Sequence, residues 1–157
     1  MATFAIESNG RIEKTAIYFN GEQLGGIKEV YIYLDENGTF DTIIQYEGTD
    51  KNIYTKHIFE DFLENVKVVP PSFTEEEANQ LQLLEIVSNG DIESTVVYIN
   101  EQEQEGIVSL LIHIKGTKTP SNFKRIFTVS KIPEHAEFKA EITYRNEDGS
   151  IETESIF

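Results

Sequence analysis

Along most of the chain apolar and polar residues alternate with a period of two, the period at which strand side chains point to opposite faces of a sheet. Val30, Ile32 and Leu34 fall on one side of such a run, as do Leu110, Ile112 and Ile114 in a later one. Phe40, Thr42, Ile44 and Tyr46 share a side, and Phe138, Ala140, Ile142 and Tyr144 repeat the arrangement. The runs are rich in Ile, Val, Tyr, Phe and Thr, and turn signals divide them. Asn9-Gly10, Asn20-Gly21, Asn37-Gly38, Asn89-Gly90 and Asp148-Gly149 supply the positive φ that tight hairpins need. The pattern predicts strands near 3–8, 11–19, 27–34, 39–47 and 52–59, then 84–88, 91–99, 107–114, 137–145 and 150–157, with one more near 123–130.

The second set of strands copies the first. Ile6-Glu7-Ser8-Asn9-Gly10 returns as Ile86-Val87-Ser88-Asn89-Gly90, an offset of 80, whereas Phe40 to Phe59 returns as Phe138 to Phe157, an offset of 98. A repeat separates shared scaffold from private additions. The expected fold is therefore mostly β: two tandem homologous antiparallel meanders, sandwich or barrel-like, with a short linker helix. Residues 1–68 form repeat one, 69–83 the linker, and 84–157 repeat two with an insertion at 115–133. Units of this size lie near the lower limit for independent stability, so the two repeats are expected to pack as one pseudo-symmetric unit. In the linker, Thr74 followed by Glu75, Glu76 and Glu77 has the form of a capping box. Pro70-Pro71 stops what precedes it, and Leu81, Leu83 and Leu84 are available to pack the helix on a sheet. A short helix near 59–65 competes with a strand for Phe59. A two-residue Asn37-Gly38 loop sets Tyr33 opposite Thr42, while an odd-length loop exchanges the partners. The segments Gly21 to Gly25 and Glu101 to Glu105 differ sharply between copies and read as an exposed, tolerant loop.

Charge narrows the partners. The 157 residues carry 28 acids against 13 bases, a formal net charge of -15. That excess argues against direct binding of nucleic acid or an anionic membrane, and suits a protein partner that is basic or itself binds nucleic acid. There is no cysteine, which excludes disulfides and thiol chemistry. No stretch approaches a membrane span or a signal peptide, so a cytoplasmic setting is expected.

Candidate chemistry is sparse. Asp35 to Asp41 has acids at short spacing, but an EF-hand loop needs Gly at its sixth position and a closing Glu, and a hairpin turn accounts for the segment better. His57, His113 and His135 lack ligand spacing. Glu13 and Glu93, equivalent in the two copies, read as solvated strand positions rather than a carboxylate pair. The repeated aromatics Tyr18/Tyr98, Phe40/Phe138, Tyr46/Tyr144 and Phe59/Phe157 read as core. No catalytic, cofactor-binding or metal-binding set emerges. The insertion 115–133 holds five of the 13 bases and no acid, leaving -20 on the rest. Lys118, Phe123, Lys124, Arg125, Phe127 and Lys131 are accordingly the candidate partner-binding residues, set against an edge strand whose lysines merely block pairing. The expected function is a non-enzymatic acidic protein-binding module, such as a microbial or phage inhibitor or immunity-like protein acting on a basic partner surface. A small-ligand-binding β-barrel and a structural or homo-oligomeric assembly protein are the alternatives. The strand count matches the up-and-down barrel of intracellular lipid-binding proteins, but no motif supports that comparison.

Overall fold

A computed structural model describes residues 1–116 and 137–157. The first half contains β1 (Ala2–Ser8), β2 (Thr15–Phe19), β3 (Glu22–Gly25), β4 (Ile27–Asp35), β5 (Phe40–Glu47), β6 (Ile53–His57) and β7 (Lys67–Val68). After α1 (Glu75–Ala78), the second half contains β8 (Gln82–Ser88), β9 (Val96–Ile99), β10 (Gln102–Glu103), β11 (Ile107–Lys115), β12 (Glu137–Arg145) and β13 (Ile151–Ser155). They form two open antiparallel sheets rather than one closed barrel, in the orders β10-β9-β8-β1-β2-β3-β7 and β13-β12-β11-β4-β5-β6.

The two halves meet in the middle of both sheets. Ala5 lies opposite Glu85 where β1 pairs with β8, and Ile32 lies opposite Ile112 where β4 pairs with β11. In both pairs the residues lie 80 positions apart in the sequence, and each half of the chain contributes strands to each sheet. One core joins the inner faces. Phe4, Ile6, Leu84 and Ile86 come from one sheet, and Val30, Ile32, Ile44, Leu110, Ile112 and Ile142 from the other, all at most 1% exposed. Each such side chain stabilises the fold by about 1.5–3 kcal/mol relative to exposure.

Equivalent positions also make equivalent bonds. The Ser8 hydroxyl accepts from the Gly10 N–H at 2.9 Å and Ser88 from Gly90 at 3.0 Å; each serine also bonds the hydroxyl of Thr15 or Thr95 at 2.8 Å. These local bonds compete with the ladder. Residues Ile12–Lys14 and Ile92–Ser94 are therefore single 3₁₀ turns, and the strands expected at 11–19 and 91–99 are cut to their C-terminal parts. The segments expected to be a tolerant loop instead carry β3 and β10, and in the first half Gln23 and Leu24 are buried. Residues 59–65 form turns rather than a helix, pinned where the Asp61 carboxylate accepts from the His57 N–H at 2.8 Å. The extra strand expected near 123–130 lies outside the described residues.

The β4–β5 loop has three residues. The Asp35 carboxylate accepts from the N–H groups of Asn37 and Thr39, both at 3.0 Å, and the Asp35 N–H reaches the Thr39 carbonyl at 3.1 Å. Gly38 closes the turn at φ +99°. This odd-length loop pairs Leu34 with Phe40, Ile32 with Thr42 and Tyr31 with Ile43, displacing the two-residue register. It places Tyr31 and Tyr33 on the outer face.

The linker joins an edge to the centre, from β7 to β8. The Gln23 amide holds it on the way, donating to the Ser72 hydroxyl at 2.7 Å and accepting from the Ser72 N–H at 2.8 Å. The capping box at Thr74 and Glu77 is formed, but α1 is only four residues long and buries none of them. Leu84 serves the inner face of β8 instead of holding the helix.

Candidate interaction surface

The two halves differ most where each sandwich side is closed or left open. In the first half the chain leaves β6 and crosses from one sheet to the other as residues 58–69. Ile58 and Leu63 enter the core at 1% and 8% exposure. Tyr46 is fully buried, and its hydroxyl donates to the Glu64 carbonyl at 2.8 Å. Tyr54 stacks on Tyr46 with ring centroids 5.4 Å apart, and its hydroxyl donates to Asp50 and accepts from the Asn65 amide at 2.9 Å. Lys56 pairs with Glu64 at 3.0 Å. The crossing ends as β7, which adds to the edge of β3, and the Val69 N–H donates to the Gln23 carbonyl at 2.9 Å. Approach is so close at Gly25 that a Cβ there would lie 2.7 Å from a Val69 methyl.

In the second half the equivalent positions are polar or acidic. Leu24, Gly25, Tyr54 and Lys56 correspond to Gln104, Glu105, Glu152 and Glu154. No strand pairs with the outer edge of β10 among the described residues. Glu101, Gln102, Glu103 and Glu105 are exposed, and β13 is exposed along its whole length. Gln104 turns inward: its carbonyl oxygen accepts the Tyr144 hydroxyl at 2.6 Å. Burial first, and then the negative charge of Glu154, push the Tyr144 phenol above its ordinary range. Arg145 stands where the first half has Glu47 and pairs with Glu36 at 2.5 Å. Among the described residues the result is an acidic side with a bare strand edge.

A second surface lies on the outer face of the six-stranded sheet. Tyr31, Tyr33, Ile43, Leu111 and His113 are neighbours there, each half-buried. His113 Nε2 lies 2.6 Å from Glu29, and the ring meets Tyr31 edge-on at 5.9 Å.

Lys118, Phe123, Lys124, Arg125, Phe127 and Lys131 all lie outside the described residues, as does His135. The other chemical candidates are spent locally. Asp35 is a turn carboxylate, held below the usual range first by the Thr39 N–H. His57 lies 4.0 Å from Glu60, and Glu13 lies 3.8 Å from Arg11 in an exposed turn. Among the described residues no group of three or more metal-ligating side chains converges, and no helix is long and apolar enough to cross a membrane. Of the repeated aromatics, Phe40 meets Phe59 at 6.1 Å and Phe138 meets Phe157 at 5.7 Å, all against the core. Tyr18 and Tyr98 instead face outward beside Ala5 and Glu85. A pocket of about 210 Å³ opens between the sheets, lined by Leu34, Ile92, Val97 and Ile107 and edged by Asp35 and Glu36. It is smaller than the roughly 300–1,000 Å³ of ligand sites.

Sequence reasoning missed the bare edge. Its signal was present: Glu101-Gln102-Glu103-Gln104-Glu105 has the alternation of a strand with acids on one face. No protein-family model matches the chain, nor does any curated protein or solved structure.

Proposed function

We propose that this chain is a non-enzymatic protein-binding module, acting in the cytoplasm as an inhibitor or immunity-like protein, whose acidic second-half side engages a basic surface of its partner. One observation carries the reading. Among the described residues, the sandwich side that the first half seals with residues 58–69 is open in the second, with Glu103, Glu105, Glu152 and Glu154 exposed along it. Complementary charge steers encounter and selects partners. The test is capture of partners from source-cell lysate by the wild-type protein and by E152K/E154K, at low and high salt. The reading expects capture at low salt, loss at high salt, and loss in the variant, because exposed charge contacts are screened. Equal capture by the variant, or none at low salt, overturns it. A parallel K124E/R125E variant reports on the basic insertion; loss of capture there alone moves the site to residues 115–133.

The half-buried face around Tyr31 and Tyr33 favours a second reading, assembly of copies through that sheet, since tyrosine is enriched at interface centres. Light scattering that finds only monomer across the accessible concentration range removes it.

A further inference from the structure

We infer that the outer edge of β10 receives an extended segment of the partner as an added antiparallel strand, one bearing Lys or Arg at alternate positions. This rests on the protein-binding reading and specifies its mode. The fold already contains the same event: β7 lies on β3, the equivalent of β10, with Val68 opposite Leu24 and Lys67 opposite Gly25. Peptide capture by strand addition draws affinity from main-chain bonds and specificity from alternate side chains.

The geometry of this edge, which no described residue pairs with, follows from the bonds already made. The Gln104 N–H donates to the Val97 carbonyl at 2.9 Å, so Gln104 faces β9. Backbone direction alternates along a strand, so the N–H and C=O groups of Glu103, the last residue of β10, point to the edge that no described strand pairs with, and Glu105 follows two residues on. The Glu103 carbonyl is the counterpart of the Gln23 carbonyl that accepts from Val69. The side chains fix the partner. Glu103 and Glu105 stand on the outer face, where the residues directly opposite would be the i and i+2 positions of the incoming strand. Opposite charges in such pairs contribute about 0.2–1 kcal/mol each. A second β10 is disfavoured, because it would set acid against acid. A copy of residues 66–69 fits poorly too, because the close approach of Val69 relies on Gly25, and Glu105 fills that place. An edge made only for protection would need no competence to pair; this one is the duplicate of an edge that pairs.

The experiment is an amide chemical-shift titration of the full chain with the blocked peptide Thr-Lys-Val-Lys-Val-Lys-Thr. Two control peptides methylate the backbone nitrogens of its lysines or replace its lysines by glutamate. The expected result is saturable shifts centred on the amides of Glu103 and Glu105. They should fall at least tenfold in affinity in E103K/E105K and be absent with both controls. N-methylation keeps the charge but removes the N–H donors of the residues opposite Glu103 and Glu105, which are the ones that face β10. Equal binding of the N-methylated peptide, or shifts spread over the acidic surface without a centre on β10, overturns strand addition while leaving the charge-based reading standing. Absence of shifts at millimolar peptide, with partner capture intact, also overturns it. Absence of both removes the function as well.

Discussion

Gly26 and Gly106 are equivalent positions with nearly the same backbone, φ +73° and +70°, yet alanine should cost more at the first. At either site an L-residue in the left-handed region costs about 1–2 kcal/mol. Loss of glycine's freedom in the unfolded chain returns about 0.4–1 kcal/mol. The surroundings then separate them. A Cβ on Gly26 would lie 2.6 Å from the Glu47 carbonyl oxygen, whereas on Gly106 it would lie 3.1 Å from that of Arg145. Real Cβ atoms essentially never approach within 3.0 Å, so the Glu47 backbone must move. That movement strains the bond from the Glu47 N–H to the Gly26 carbonyl, 2.9 Å long and worth about 0.5–1.5 kcal/mol. The matching Arg145 to Gly106 bond, 2.8 Å, tolerates the smaller shift. Gly26→Ala is expected to lose about 1 kcal/mol more than Gly106→Ala. At an m-value of about 2 kcal/mol/M, urea midpoints then differ by about 0.5 M with m unchanged. Equal midpoints, or a lower one for Gly106→Ala, would refute the reasoning.

Three further outcomes are expected. Ile32→Ala and Ile112→Ala should each cost about 2–5 kcal/mol in urea unfolding, and the double variant should depart from additivity because the two residues lie directly opposite on paired strands. Asp50 is held below the usual carboxylate range, first by the Tyr54 hydroxyl. Its contribution to stability is present above the unfolded value of about 3.9 and is lost as pH falls through the lower folded value. Tyr54→Phe should raise the Asp50 midpoint in a carbon-13 titration; an unchanged midpoint contradicts the assignment. Burial first, then the charge of Glu64, push the Tyr46 phenol up to about 12. Its contribution is complete below about pH 10 and is lost as pH rises toward that folded value. Tyr46→Phe should flatten the alkaline end of the stability profile, and the wild-type phenol should ionise late at 295 nm.

The inner-face strands were legible because their side chains alternate against a buried side. Ile32, Ile44, Ile112 and Ile142 all lie where period two places them. The turns before Thr15 and Thr95 were misread as strand because serine and asparagine bonds to nearby N–H groups, which periodicity does not register, override apolar pattern. The β4–β5 register needed the Asp35 carboxylate, whose reach across the turn selects three loop residues over two. Strands β3 and β10 were hidden by their divergence: one carries Leu24 and Gly25 and pairs with β7, the other is acidic and unpaired on its outer edge among the described residues. That divergence, first read as tolerance, is the feature that distinguishes the two sides.

Hydrogen exchange at the two equivalent edges tests the central claim most directly. In the free protein the Val69 amide should be protected by its bond to Gln23, while the Glu103 and Glu105 amides exchange at nearly unprotected rates. Adding the alternating lysine–valine peptide should slow Glu103 and Glu105 and leave Val69 unchanged. Protection of Glu103 and Glu105 before any peptide is added, comparable to that of Val69, would mean the edge is already covered and would contradict the account.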